Sequence, residues 1–131
     1  MRLSFLLAAL AIVTGCASIE QDSRQNYFNI VTRAYERAIE WSDYESAYSA
    51  VKEAEGASKL DLQALKAFKI TSYKAAVVRV SEEGAVVTRQ ANISYLRLAR
   101  MSEHSIVVQE EWRYTKEGKR WQLVSGFPVL R

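Results

Sequence analysis

Cysteine, histidine and proline occur once each in this chain, and glycine five times in 131 residues. A single cysteine, Cys16, closes no intramolecular disulfide, and with His104 as the one imidazole no Cys/His metal site is expected. Nothing in the sequence asks for a cofactor. Charge of one sign is scarce too: 18 Lys and Arg face 15 Asp and Glu, a net of +3. No block of consecutive basic residues offers a surface that tracks phosphates, so nucleic acid is not an expected partner. No apolar run reaches the ~20 residues that span a bilayer. There is no internal repeat and no low-complexity tract. What is there is 49% hydrophobic and 25% charged, a globular composition at a length suited to one domain.

The one cysteine follows an apolar run. "MRLSFLLAALAIVTGC" opens with Arg2 as a positive n-region, continues through Leu3–Val13, apolar except for Ser4, and ends on Thr14, Gly15 and Cys16. That is the layout of a secretory signal segment. Its end resembles the lipobox of bacterial lipoproteins: an aliphatic residue, a small or β-branched one, Gly or Ala, then Cys, here Val13-Thr14-Gly15-Cys16. The departure is Val13, where Leu is commonest. The resemblance implies that residues 1–15 are removed as signal peptide, that the Cys16 thiol carries a diacylglycerol, and that the freed amine is acylated with a fatty acid such as palmitate. Burial gains ~0.8 kcal/mol per CH₂, so two or three chains hold a protein on a bilayer. Ala17 stands where an aspartate is associated with inner-membrane retention. This resembles lipoproteins sorted to the outer membrane, facing the periplasm. The competing reading is an ordinary signal segment with Cys16 incidental.

Residues 16–25 are polar and short after Cys16 and read as a lipidated tether. A single domain over 26–131 follows. Asp22 or Ser23 can cap a first helix, with Tyr27, Ile30, Val31, Ala34, Tyr35, Ala38 and Ile39 at helical spacing. Asn29, Arg33, Arg37 and Glu40 form its other side. Asp43 can cap a second helix with Tyr44, Ala47, Tyr48 and Val51 on its apolar side, ended by Gly56. Leu60 to Lys66 adds a turn or two. From Phe68 the pattern predicts strands at about 68–80, 85–98, 105–116 and 120–127. The connections are 81–84, the stretch from Met101 to His104, and 116–119, each short enough for a hairpin. Helices first and strands afterwards make an α+β domain with a four-stranded antiparallel sheet.

This order resembles the nuclear-transport-factor-two-like superfamily, which includes SnoaL-like domains. "EEWRYTKEGKRWQLVSGFP", Glu110 to Pro128, carries most of the likeness: a Trp strand, a Gly hairpin and a second Trp strand. "WSDYESAYSAV" resembles the second helix. The resemblance spans Tyr27 to Pro128 and implies N-terminal helices packed on a curved sheet in a cone-like arrangement. It also implies an outer strand face used for homodimers.

The candidates for chemistry are charges on apolar strand faces. Val87, Ala91, Ile93 and Tyr95 share a face with Arg89, and Ile106, Val108, Trp112 and Tyr114 share one with Glu110. Two readings stay open. Arg89 and Glu110 pair across the sheet, or Glu110 is a general base in a hydrophobic pocket, its pKa raised by burial. A β-bulge would flip the faces. The candidate pocket is Arg89, Glu110, Tyr95 and Trp112. Tyr35, Tyr48, Tyr73 and Trp121 belong either to its lining or to a plain core. No family catalytic set maps onto this chain, so no catalytic residue is assigned. His104 falls in a predicted hairpin loop. The expected role is a non-catalytic envelope lipoprotein that binds an envelope protein or a small apolar ligand. The alternative is a ketosteroid-isomerase-like enzyme using Glu110.

Overall fold

The structure is a computed structural model and describes residues 14–131, with side chains described from Ile19 onward. The apolar run Leu3–Val13 lies outside the described residues. Helix α1 spans Thr14–Glu40. No proline or glycine interrupts Cys16–Glu40, so nothing local ends the helix early. It therefore runs through the stretch read as a tether, and Asp22 and Ser23 lie inside it instead of capping it.

The buried stripe of α1 is Phe28, Thr32, Tyr35 and Ile39, with Val31 and Ala38 at its flanks. This differs from the expected face, because Tyr27, Ile30 and Ala34 face solvent. The face is turned by Thr32, whose hydroxyl donates to the Phe28 carbonyl at 2.9 Å. A threonine satisfied by its own helix can enter the core without an orphaned polar group. Phe28 meets the edges of Trp112 and Trp121, and Tyr35 meets Tyr73 and Trp112.

The helix ends in a Schellman motif, with Asp43 N–H donating to Ala38 and Ser42 N–H to Ile39. Ser42 takes the left-handed position (φ 55°) usually given to glycine. Its hydroxyl holds the Ile70 N–H at 2.9 Å, which ties the turn to the sheet. Asp43 caps α2 (Tyr44–Tyr48) as expected, but α2 stops well before Gly56. Residues 50–52 leave the helix and pair with Leu123 on both sides of its peptide, at 2.9 Å each. Helix α3 is a single turn, Leu62–Leu65, capped by Asp61.

The sheet is open and curved, with antiparallel order β1-β2-β3-β4. Its strands are β1 (Phe68–Val80), β2 (Val86–Arg97), β3 (Ser102–Thr115) and β4 (Arg120–Leu123). The domain is α+β, as the order of elements implied. Strands β2 and β3 pair without a register shift, so Val87, Arg89, Ala91, Ile93 and Tyr95 all point to the core. Strand β1 shifts register between Ile70 and Ser72 and again between Val77 and Arg79. The first shift lets Ile70 and Tyr73 both face inward despite their odd spacing. His104 is not in a loop: β3 starts at Ser102, and the half-buried His104 ring stacks on Tyr95 at 5.4 Å. Aromatic stacking keeps the hairpin paired further than its turn-like sequence indicates.

β4 ends at Leu123, not 127. Beyond it the chain folds back along β3. Val124 N–H donates to the Glu111 carbonyl, and the Ser125 hydroxyl accepts the Glu111 N–H at 3.0 Å. Tyr95 holds the far end, donating to the Arg131 carbonyl at 3.0 Å and accepting its N–H at 3.1 Å.

Candidate functional site

The unshifted β2–β3 register sets Arg89 directly opposite Glu110 on the inner face. Both are buried, 4% and 2% exposed. Arg89 reaches Glu110 Oε1 with Nε at 3.0 Å and Nη2 at 2.8 Å. Trp112 Nε1 donates to the same oxygen at 3.1 Å. The Tyr73 hydroxyl donates to Glu110 Oε2 and accepts from Arg89 Nη2 at 2.9 Å. Glu36 on α1 completes the group, 2.7 Å from Arg89 Nη1. The guanidinium also lies over the Trp112 ring, 5.6 Å from its centre.

Electrostatics follow from this packing. Burial pulls the Arg89 pKa down, but Glu110, Tyr73 and Glu36 outweigh it, and the net shift is upward. Arg89 stays charged. Burial pushes the Tyr73 and Tyr35 hydroxyls well above the ordinary tyrosine range. The Glu110 charge adds to that push and Arg89 partly offsets it.

Glu110 therefore accepts four hydrogen bonds, three of them on Oε1. A general base needs a lone pair that substrate can reach. Only Oε2, with one donor, retains one. The arrangement suits a carboxylate that holds a buried cation in place and leaves little capacity for proton transfer.

Beside this network lies a cleft of about 530 Å³ between β3 and the returning C-terminal segment. Ile106, Val108, Leu123, Phe127, Pro128 and Val129 form its apolar walls, with Tyr95 and Arg131 lining it too. Glu110 and Tyr35 also line it. Tyr35 is 1% exposed, yet its hydroxyl has no hydrogen-bond partner among the protein groups. A second depression of about 770 Å³ lies between the α1–α2 turn and β1, around Trp41, Tyr44 and Leu98. Its rim mixes Glu40, Asp43 and Glu45 with Lys66 and Lys69, and the Tyr44 hydroxyl there is satisfied by the Phe68 carbonyl at 2.6 Å. Among the described residues two buried side-chain hydroxyls have no hydrogen-bond partner: Tyr35, which lines the first cleft, and Tyr48, which lines neither.

Of the four residues expected to form one pocket, Arg89, Glu110 and Trp112 come together in the network. Tyr95 lies further along the cleft and shares only its lining with Glu110. Two network members escaped a polar reading of the sequence. Glu36 falls between the polar and apolar sides of α1, and its signal is the spacing of four from Thr32. Tyr73 was an aromatic candidate, but the β1 register shift that turns it to Glu110 leaves no mark in the pattern. Cys16 lies in the backbone of α1. No helix among the described residues is long and apolar enough to cross a membrane. Among those residues no group of three or more His, Cys, Asp or Glu is placed to hold a metal ion. No protein-family model matches this chain, and no curated protein matches it.

Proposed function

We propose that this chain is a bacterial envelope lipoprotein, anchored through Cys16, whose nuclear-transport-factor-two-like domain binds a small apolar molecule in the cleft beside β3 without transforming it. The observation that carries this reading is the cleft itself: about 530 Å³ walled by apolar side chains, next to a carboxylate already holding four donors. Small-molecule binding is favoured over a protein partner on the outer sheet face. There Val107 is exposed but sits opposite Asn92 and two residues from Ser105 and Gln109, so it forms no broad apolar patch.

The anchor is consistent with the fold. Cleavage before Cys16 would take only Thr14 and Gly15 from α1. Residues 19–23 are exposed all round. Among the described side chains, Gln21 lies against Gly84 of the β1–β2 turn, and Arg24 donates to the Glu83 carbonyl at 3.0 Å and lies over the Tyr114 ring. The start of the helix would then be a polar stalk between the lipid and the domain, at the outer membrane facing the periplasm.

A proton-transfer enzyme remains the second reading, favoured by one observation: Glu110 lines the cleft. Two experiments test these proposals. Intact mass of the membrane-extracted protein should show Cys16 as the acylated first residue. A Cys16→Ser protein differing only by the sulfur-to-oxygen change would remove the anchor. Native mass spectrometry of protein from envelope extract should show one co-purified small apolar molecule, lost in Val108→Trp, which fills the cleft. A ligand retained in that variant would place the site elsewhere.

A further inference from the structure

We infer that α1 docks its outer face on an anionic lipid surface, the one to which Cys16 tethers the chain. The inference rests on the reading of Cys16 as an acylated anchor. Tyr27, Ile30 and Ala34 have the spacing of a core-facing stripe, yet the fold leaves all three exposed, Ile30 at 63%. Trp41 extends their row. Its N–H donates to the Arg37 carbonyl at 3.0 Å, so it keeps the helical period one residue past Glu40. At 80% it is the most exposed large apolar side chain among the described residues. Steps of three and four carry Tyr27, Ile30, Ala34, Arg37 and Trp41 along one side of the helix, opposite the buried Phe28, Thr32, Tyr35 and Ile39.

Charge identifies what covers this side. Arg33 and Arg37 stand on it, exposed and outside every ion pair among the described residues. Of the acids between Ser23 and Trp41, Glu36 is committed to Arg89 and Glu40 stands at the rim of the row. Tryptophan, tyrosine and isoleucine flanked by arginines, on a helix not apolar enough to cross a membrane, suit the headgroup layer of an anionic bilayer. Trp and Tyr place an apolar ring and a polar tip there together. The anchor starts the same helix, so the surface is already beside it. A second copy fits worse: helices paired with both anchors on one membrane run parallel, which sets Arg37 against Arg37.

Trp41 supplies the probe, because the other two tryptophans, Trp112 and Trp121, are buried. Membrane-extracted protein is reconstituted in vesicles of phosphatidylethanolamine with phosphatidylglycerol and in vesicles of phosphatidylcholine alone, and its fluorescence is quenched with acrylamide or with brominated acyl chains. In the anionic vesicles Trp41 should be shielded from acrylamide and quenched by the brominated chains. Arg33→Gln and Arg37→Gln should each lower the docked population about fivefold without lowering the melting temperature. Equal acrylamide quenching in the two kinds of vesicle overturns the inference. So does shielding that grows with protein density and brings no quenching by brominated chains, which would show a second copy on this face. Extracted protein whose mass shows no acyl group sinks the anchor instead. The helix contact then stands only if that protein still sediments with the anionic vesicles and the double arginine variant does not.

Discussion

Glu110 stands between two regions of the inner sheet face that treat polar groups differently. Towards β2, Arg89, Tyr73, Trp112 and Glu36 are tied into one hydrogen-bonded network, buried except at Glu36. Towards the C-terminal segment, the Tyr35 hydroxyl is equally buried and has no partner. A paired group there holds the fold, and an unpaired one, like the Tyr48 hydroxyl, adds no bond to it. The contrast separates the polar groups whose bonds stabilise this domain from those whose burial is uncompensated.

Substitutions should rank by which region they touch. Glu110→Ala is the most damaging, because it strands the Arg89 charge in the core; a loss of ~3–5 kcal/mol is expected in urea unfolding. Tyr73→Phe removes two hydrogen bonds to charged groups, one given to Glu110 and one taken from Arg89, and should cost ~1.5–3 kcal/mol or more by the same measurement. Alkaline pH comes next. The folded-state pKa values of Tyr35 and Tyr73 are raised above the unfolded value of 10.0, chiefly by burial, so stability is untouched by their titration below pH 10 and falls as pH rises beyond it. Stability should fall by about 1.4 kcal/mol per pH unit for each phenol, and either Phe substitution should remove one share. Glu36→Ala should cost about 1 kcal/mol or less, since its side chain is 33% exposed. Tyr35→Phe closes the series: no loss, or a gain of up to ~1 kcal/mol, because an unsatisfied donor leaves the core.

The regions also differed in how well they could be read from sequence. Strands β2 and β3 were legible because an unshifted antiparallel ladder preserves strict alternation. Arg89 and Glu110 therefore stood out among Val87, Ile93, Val108 and Trp112. The span of β1, 68–80, was legible too, but which of its residues face inward was not, because two register shifts break its period. The α1 face was misjudged at Thr32, where a local hydrogen bond buries a polar residue. His104 looked like a loop residue, and its stacking on Tyr95 is visible only once the register is known. The cleft was least legible of all. Its wall is the irregular Ser125–Arg131 segment, positioned by Tyr95 and by contacts to Glu111 that no periodicity encodes.

The sharpest measurement is a double-mutant cycle on Arg89→Met and Glu110→Leu, followed by urea unfolding. If Glu110 is spent on holding Arg89, each single change costs ~3–5 kcal/mol and the double change costs less than their sum by ~2 kcal/mol or more. Costs that add to within ~0.5 kcal/mol would show the two charges to be independent. Glu110 would then be free to act in the cleft, contrary to a structural role.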